Sequence, residues 1–194
     1  MKRFTSKLVL WALMVLVTMA IPQGVDALGL SGLRVKAGVN LTREQQFSNL
    51  QGLGGQFDSH RWMLGSNLDM GSFLLPKLHF VPGVDFIVQE TVRIYVINVD
   101  GAYFFHQSPR GRGYAGAGFG THLYRPTDAG RAAAVANGTT ATSDTKISLN
   151  VPIGYQRRLG DDLAWFGEVK LVIADDEKDS ALQFSVGFNF GSNE

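Results

Sequence analysis

The chain has 194 residues, with 18 lysines and arginines against 17 aspartates and glutamates, and it contains no cysteine. The near-balance of charge excludes the basic surface that nucleic acid requires. The missing cysteine excludes disulfides, thiolate metal sites and a catalytic thiol. Mean hydropathy near zero, with no long apolar run beyond the first 20 residues, excludes a bundle of membrane helices.

The first element is a leader. Lys2, Arg3 and Lys7 precede the unbroken apolar run Leu8 to Ala20, and Val25-Asp26-Ala27 offers small residues at cleavage positions. The pattern predicts a secretory signal peptide over 1–27; the alternative is one short anchoring helix. Cleavage removes Lys2, Arg3, Lys7 and Asp26 and leaves 15 basic and 16 acidic residues in one domain over 28–194.

Eight alternating segments follow, each apolar on one face and polar on the other. Leu33, Val35, Ala37, Val39 and Leu41 alternate with Arg34, Lys36, Gly38 and Asn40. Trp62, Leu64, Leu68 and Met70 oppose Met63, Gly65, Asn67 and Asp69. Leu78, Phe80, Val84, Phe86 and Val88 oppose His79, Gly83, Asp85 and Gln89, with Pro82 predicting a bulge or irregular pairing. Tyr95, Ile97, Val99, Tyr103 and Phe105 oppose Asn98, Asp100 and Ala102. Between Tyr114 and Tyr124, Ala115, Ala117, Phe119 and Leu123 oppose Gly116, Gly118, Gly120 and His122. Ile147, Leu149, Val151, Ile153 and Tyr155 oppose Ser148, Asn150, Gly154 and Gln156, with a second irregularity expected at Pro152. Leu163, Trp165, Val169, Leu171 and Ile173 oppose Glu168 and Lys170. Last, Leu182, Phe184, Val186, Phe188 and Phe190 oppose Gln183, Ser185, Gly187 and Asn189.

Eight strands close an all-β, antiparallel, up-and-down barrel without edges. Alternation alone fits a soluble lipocalin-like barrel with an apolar ligand as well as a membrane barrel. Volume separates them: an eight-stranded lumen barely holds side chains, and Gly38, Gly65, Gly83, Gly116, Gly118, Gly120, Gly154 and Gly187 all lie on the polar face. The polar face is therefore the inside. Arg34, Lys36, Asp69, Asp85, Asp100, Glu168 and Lys170 share it, and the apolar phase of these segments carries no charge. This division predicts a transmembrane barrel with a paired-charge lumen, plugged by its own side chains.

The joints fit the same reading. Those around Ser72 to Lys77, Gln107 to Gly113 and Gly160 to Asp162 are short; those at 43–61, 125–145 and Asp175 to Asp179 include the two longest, and only the joint at Glu90-Thr91 is short where length is allowed. Short periplasmic turns and long external loops match an outer-membrane barrel, with Phe105, Tyr155, Trp165 and Phe190 forming a girdle at the periplasmic strand ends and Trp62 at the outer end. Loop 125–145 is rich in small and polar residues and reads as disorder or a partner-binding surface, with Asn137-Gly138 as a turn; loop 43–61 is rich in glycine and glutamine and has the makeup to pack over the barrel mouth.

Tyr114-Ala-Gly-Ala-Gly-Phe-Gly120, Gly154-Tyr-Gln-Arg-Arg-Leu-Gly160, Phe166-Gly-Glu-Val-Lys170 and Phe188-Asn-Phe190 resemble the small eight-stranded outer-membrane β-barrel family of OmpA-transmembrane-domain and OmpX type. The resemblance implies outer-membrane lipid around the barrel and an aromatic terminal residue read by the assembly machinery; here Gly191-Ser-Asn-Glu194 follows Phe190. His106-Gln107-Ser108 is similar to the His-x-Ser arrangement of lipid A deacylases. Without an acid nearby it reads as a turn rather than a nucleophile and base. His60, His79 and His122 are scattered, so no metal or cofactor is expected. The expected role is non-enzymatic, through exposed loops; an envelope-lipid-modifying enzyme is the other possibility.

Overall fold

The computed structural model describes residues 30–42, 61–89, 91–108, 110–175 and 180–191. The leader expected over 1–27 and residues 43–60 of the first long loop lie outside these segments. Alternation of apolar and polar residues gives eight strands: β1 Gly32–Thr42, β2 Trp62–Asp69, β3 Leu78–Val88, β4 Val92–Ser108, β5 Gly111–Pro126, β6 Asp144–Arg158, β7 Leu163–Ala174 and β8 Ala181–Phe190. Each pairs antiparallel with its sequence neighbour, and β8 pairs back on β1, with Leu33 opposite Phe190 and Thr42 opposite Ala181. The result is a closed up-and-down barrel.

The pairing registers set the shape. With the β2–β3 register extended two residues past Asn67–Gly83, a path from Gly32 through Asp69, Val81, Asp100, Gly118, Asn150, Val172 and Ala181 leads back to β1 at Thr42, ten residues from the start. A shear of this size tilts eight strands by about 40° and leaves an interior only wide enough for side chains. The glycines of the inner face answer that narrowness. A Cβ on Gly154 would overlap the Tyr114 ring, and one on Gly118 would overlap the Asp100 carboxylate.

Neither proline carries a bulge. At Pro82 the β3–β4 register runs on unbroken, while the β2–β3 ladder breaks off at Gly83 and hydrogen bonding resumes beyond the proline, where the Met70 N–H donates to Phe80 O at 3.0 Å. At Pro152 the β5–β6 pairing skips from Ala115–Ile153 to Gly118–Asn150 and resumes in the same register. Each proline lacks an N–H, so one ladder is interrupted locally while the other is kept. The observed register shift lies elsewhere, between Phe104 and His106 of β4.

Loop 125–145 is more structured than its composition suggests. β5 runs on to Pro126, and helix α1 spans Asp128–Ala136. Thr127 caps it, its hydroxyl accepting the Gly130 N–H at 3.1 Å. Asn137 and Gly138 end it, with Gly138 at φ +68° and its N–H donating to the Val135 carbonyl. The helix is seated on the β3–β4 turn: the Thr127 N–H donates to Thr91 O, and Gly130 lies so close to that carbonyl that no Cβ fits. Alanines supply helix propensity here, which a reading for apolar periodicity does not detect.

Candidate functional site

Inward side chains fill the lumen in three layers. Nearest the end that holds Gly32 and Phe190, Asp69 gathers the cations. Arg34 Nη2 lies 3.3 Å from its Oδ2, Arg112 Nη2 lies 3.9 Å from the same oxygen, and His79 Nδ1 lies 2.7 Å from Oδ1. The Gly71 N–H also donates to Oδ1, at 3.1 Å. Aromatic rings cover the guanidinium groups: Arg34 packs over Phe104, Tyr114 and Phe166 at 5.2–5.9 Å, and Arg112 over Phe104 at 4.0 Å. Phe104, Tyr114 and Phe166 are fully buried inside the barrel.

The middle layer is a hydrogen-bonded network. Lys36 lies 3.0 Å from Asp85 and 3.8 Å from Glu168, and Lys170 donates to Asp100 at 2.7 Å. The Tyr114 hydroxyl reaches over Gly154 on the neighbouring β6 and donates to Glu168 of β7 at 2.9 Å. Asn98 donates to Asp85, and Asn150 donates to both Asn98 and Asp100. Ser148 extends the chain from Asn150 to His122. Towards the α1 end, Met63, Ile87, Ile94 and Val96 form an apolar cluster, and Gln183 donates to Asn40 at 3.1 Å across the β1–β8 seam.

All seven charged residues placed in the lumen from the sequence point inward there. They are joined by Arg112, which the sequence reading left in a turn because β5 begins at Gly111 rather than Tyr114. Four cations, Arg34, Lys36, Arg112 and Lys170, then meet four carboxylates, Asp69, Asp85, Asp100 and Glu168. Asn98, Asn150, Ser148 and Tyr114 complete the network. Their signal was parity: each sits on the inner phase of its strand.

The outer face carries the opposite chemistry. Leu33, Val35, Leu64, Val84, Ile97, Val99, Phe119, Ile153, Val169, Val186 and Phe188 are each at least 39% exposed. Of the girdle residues, Trp62 is 60% exposed at the α1 end; Phe105, Tyr155 and Phe190 are exposed, and Trp165 half-exposed, at the other end. One expectation is overturned. The apolar phase does carry charge, because β4, β5 and β6 extend beyond their alternating cores and place Arg93, Arg125 and Arg157 outward. All three sit at strand ends.

In His106-Gln107-Ser108, the Ser108 hydroxyl donates to the Gly111 carbonyl at 2.9 Å and accepts the Gly111 N–H at 3.2 Å, closing the β4–β5 turn. The side chains of His106 and Gln107, and all of His60, lie outside the described residues. Among the described residues no three His, Cys, Asp or Glu side chains converge to hold a metal ion.

No protein-family model matches the sequence, and no curated protein matches it. Solved structures do share the fold. The N-terminal β-barrel domain of Pseudomonas aeruginosa OprF superposes with a TM-score of 0.56 at 11% identity, covering 84% of this chain and 98% of that one. Neisserial surface protein A (NspA) gives 0.58 at 11% identity, covering 82% of this chain and 96% of its own. Both are small eight-stranded outer-membrane β-barrels. At this identity the likeness is one of architecture.

Proposed function

We propose that this chain is an integral outer-membrane β-barrel without catalytic activity, exported by a cleaved leader over 1–27. Its lumen is closed, and it acts through the α1 end, which faces outside the cell. The carrying observation is the division of the wall. Within the central belt the outer face is apolar and uncharged, while every charge points into a lumen that neutralises it. A soluble barrel gains nothing from exposing such a belt. In lipid, a midplane Lys or Arg on that face would cost about 2–4 kcal/mol, which explains why charge is confined to strand ends.

The filled interior argues against both a ligand-carrying lipocalin-like barrel and an open pore. Phe104, Tyr114, Phe166 and the charge network occupy the space that an apolar ligand or a water column would need. Loops 43–61 and 125–145 would then project outward as the surfaces that meet an extracellular partner, with α1 held firmly on the rim. The envelope role is structural or adhesive.

Flotation with phospholipid vesicles and heat-dependent gel migration test this reading. Integration and a shifted unboiled band are the expected results. Full recovery in osmotic-shock fluid without detergent would overturn it.

A further inference from the structure

We propose that the outer wall at the α1 end binds a lipid carrying a phosphomonoester headgroup. Arg93 and Arg125 hold the phosphate, and one acyl chain lies in the hollow below them. The proposal rests on the reading of the barrel as a membrane protein and specifies one lipid it selects.

The register makes the site. Across the outer face, Trp62 pairs with Val88, Val88 with Arg93, and Arg93 with Arg125. Two arginines therefore stand directly opposite each other on neighbouring strands, both exposed. Like charges so placed repel. Among the described residues no carboxylate forms an ion pair with either one. Asp128, the acid nearest Arg125 in sequence, is engaged with Arg131 at 3.5 Å, and Glu90, the acid nearest Arg93, lies outside the described residues. Trp62 stands in the same row, which puts the arginines at the depth where interfacial tryptophan sits and lipid headgroups begin.

Directly beneath lie two rows on the same strands, apolar except for Ser66 and Thr121. The first is Leu64, Phe86, Tyr95 and Leu123; the second is Ser66, Val84, Ile97 and Thr121. Ser66 is small among large neighbours, and a hollow of about 600 Å³ opens there. That volume falls within the roughly 300–1,000 Å³ typical of ligand sites. The Phe86 and Tyr95 rings, with centroids 5.0 Å apart, line the upper part of it. A mainly apolar hollow one row below two exposed arginines matches an amphiphile with an anionic head. The pair further selects the head. A phosphomonoester carries about 1.5 to 2 negative charges and three acceptor oxygens, enough to engage two arginines at once. A phosphodiester carries one charge and leaves the repulsion between the arginines partly unrelieved.

The test uses the full barrel in phosphatidylcholine nanodiscs containing small equal fractions of phosphatidic acid, a phosphomonoester, and phosphatidylglycerol, a phosphodiester. After extraction into zwitterionic detergent, the lipid that stays on the protein is quantified. Wild type should retain phosphatidic acid about tenfold over phosphatidylglycerol, relative to the bilayer. Arg93→Gln with Arg125→Gln should return retention to the bilayer ratio. Ser66→Phe, or Ile97→Trp if the first does not fold, should also abolish the preference with both arginines in place.

Equal retention of the two lipids by wild type, or an unchanged preference in the arginine variant, overturns the proposal. So does a preference that survives filling of the hollow, or one that inorganic phosphate abolishes as readily as short-chain phosphatidic acid does. Each of these would leave a bare phosphate site or none. Failure to enter nanodiscs at all would instead refute the membrane reading, so the two failures are distinct.

Discussion

Arg34 and Arg112 inside the barrel, and Arg93 and Arg125 outside it, are the same chemical group in opposite company. The inner pair converges on one carboxylate, Asp69, under aromatic rings and away from solvent. The outer pair faces itself across two strands, and among the described residues no acid forms an ion pair with either. A narrow, side-chain-filled lumen leaves little room for water or mobile ions to answer a charge, so the partner has to be built into a nearby strand. At the rim the surroundings can supply the counter-charge, and the fold leaves the pair open. Inner charges therefore belong to stability, and the outer pair is left for the lipid recognition proposed above.

Substitutions probe this contrast from its strongest point to its weakest. Asp69→Leu leaves two buried guanidinium groups without their carboxylate and should cost about 3–5 kcal/mol in urea unfolding followed by heat-dependent migration. An unchanged midpoint would mean that the lower lumen is hydrated, and the contrast would collapse. Lys170→Met strands Asp100 and should cost a similar amount alone. Combined with Asp100→Leu, more than half of the loss should return, because the pair is then absent rather than broken. A double variant as unstable as the sum of the singles would show that the two charges are not coupled.

Gly154→Val addresses space rather than charge. The Tyr114 ring must leave its seat and release Glu168, and a loss of about 1–3 kcal/mol is expected. Arg93→Gln with Arg125→Gln should have the smallest effect and the opposite sign. In a zwitterionic bilayer, relief of cross-strand repulsion should raise unfolding stability by about 0.2–1 kcal/mol. A marked destabilisation there would make the outer pair structural.

The fold was legible because both constraints act on every strand. Period-two alternation marked the staves, and the placement of glycines told inside from outside; Gly38, Gly118 and Gly154 each fill a position where a Cβ collides with atoms of a neighbouring strand. The lumen cations and acids were legible one by one from parity. Their pairings were not, since Lys36 with Asp85 and Lys170 with Asp100 depend on a register that no single segment contains. Strand ends were the least legible part. Arg93, Arg112, Arg125 and Arg157 all lie in extensions of β4 to β6, where alternation fades and pairing to a neighbour alone sustains the strand. Helix α1 was hidden for a different reason: it buries no apolar face, so its alanines leave no period to read.

The seam between β1 and β8 also orders events in time. Leu33 and Phe190 are neighbours in space and stand at opposite ends of the described chain, so closing them carries the largest loop-entropy cost in the structure. The cations of β1 need not wait for that closure. Arg34 finds Asp69 only 35 residues away, and Lys36 finds Asp85 only 49 away, both on the next two strands. A half-built sheet of β1 to β3 can therefore settle its own charges while it is still open, and the last stave arrives at a wall that is already neutral. Across the seam Gly187 and Ser185 of the last stave meet Lys36 and Gly38, so at these two inner pairs β8 brings no large side chain. In a pulsed hydrogen-exchange refolding experiment, amides of the β1–β2 and β2–β3 ladders should gain protection before those of the β1–β8 seam; simultaneous protection would assign closure and charge neutralisation to one step.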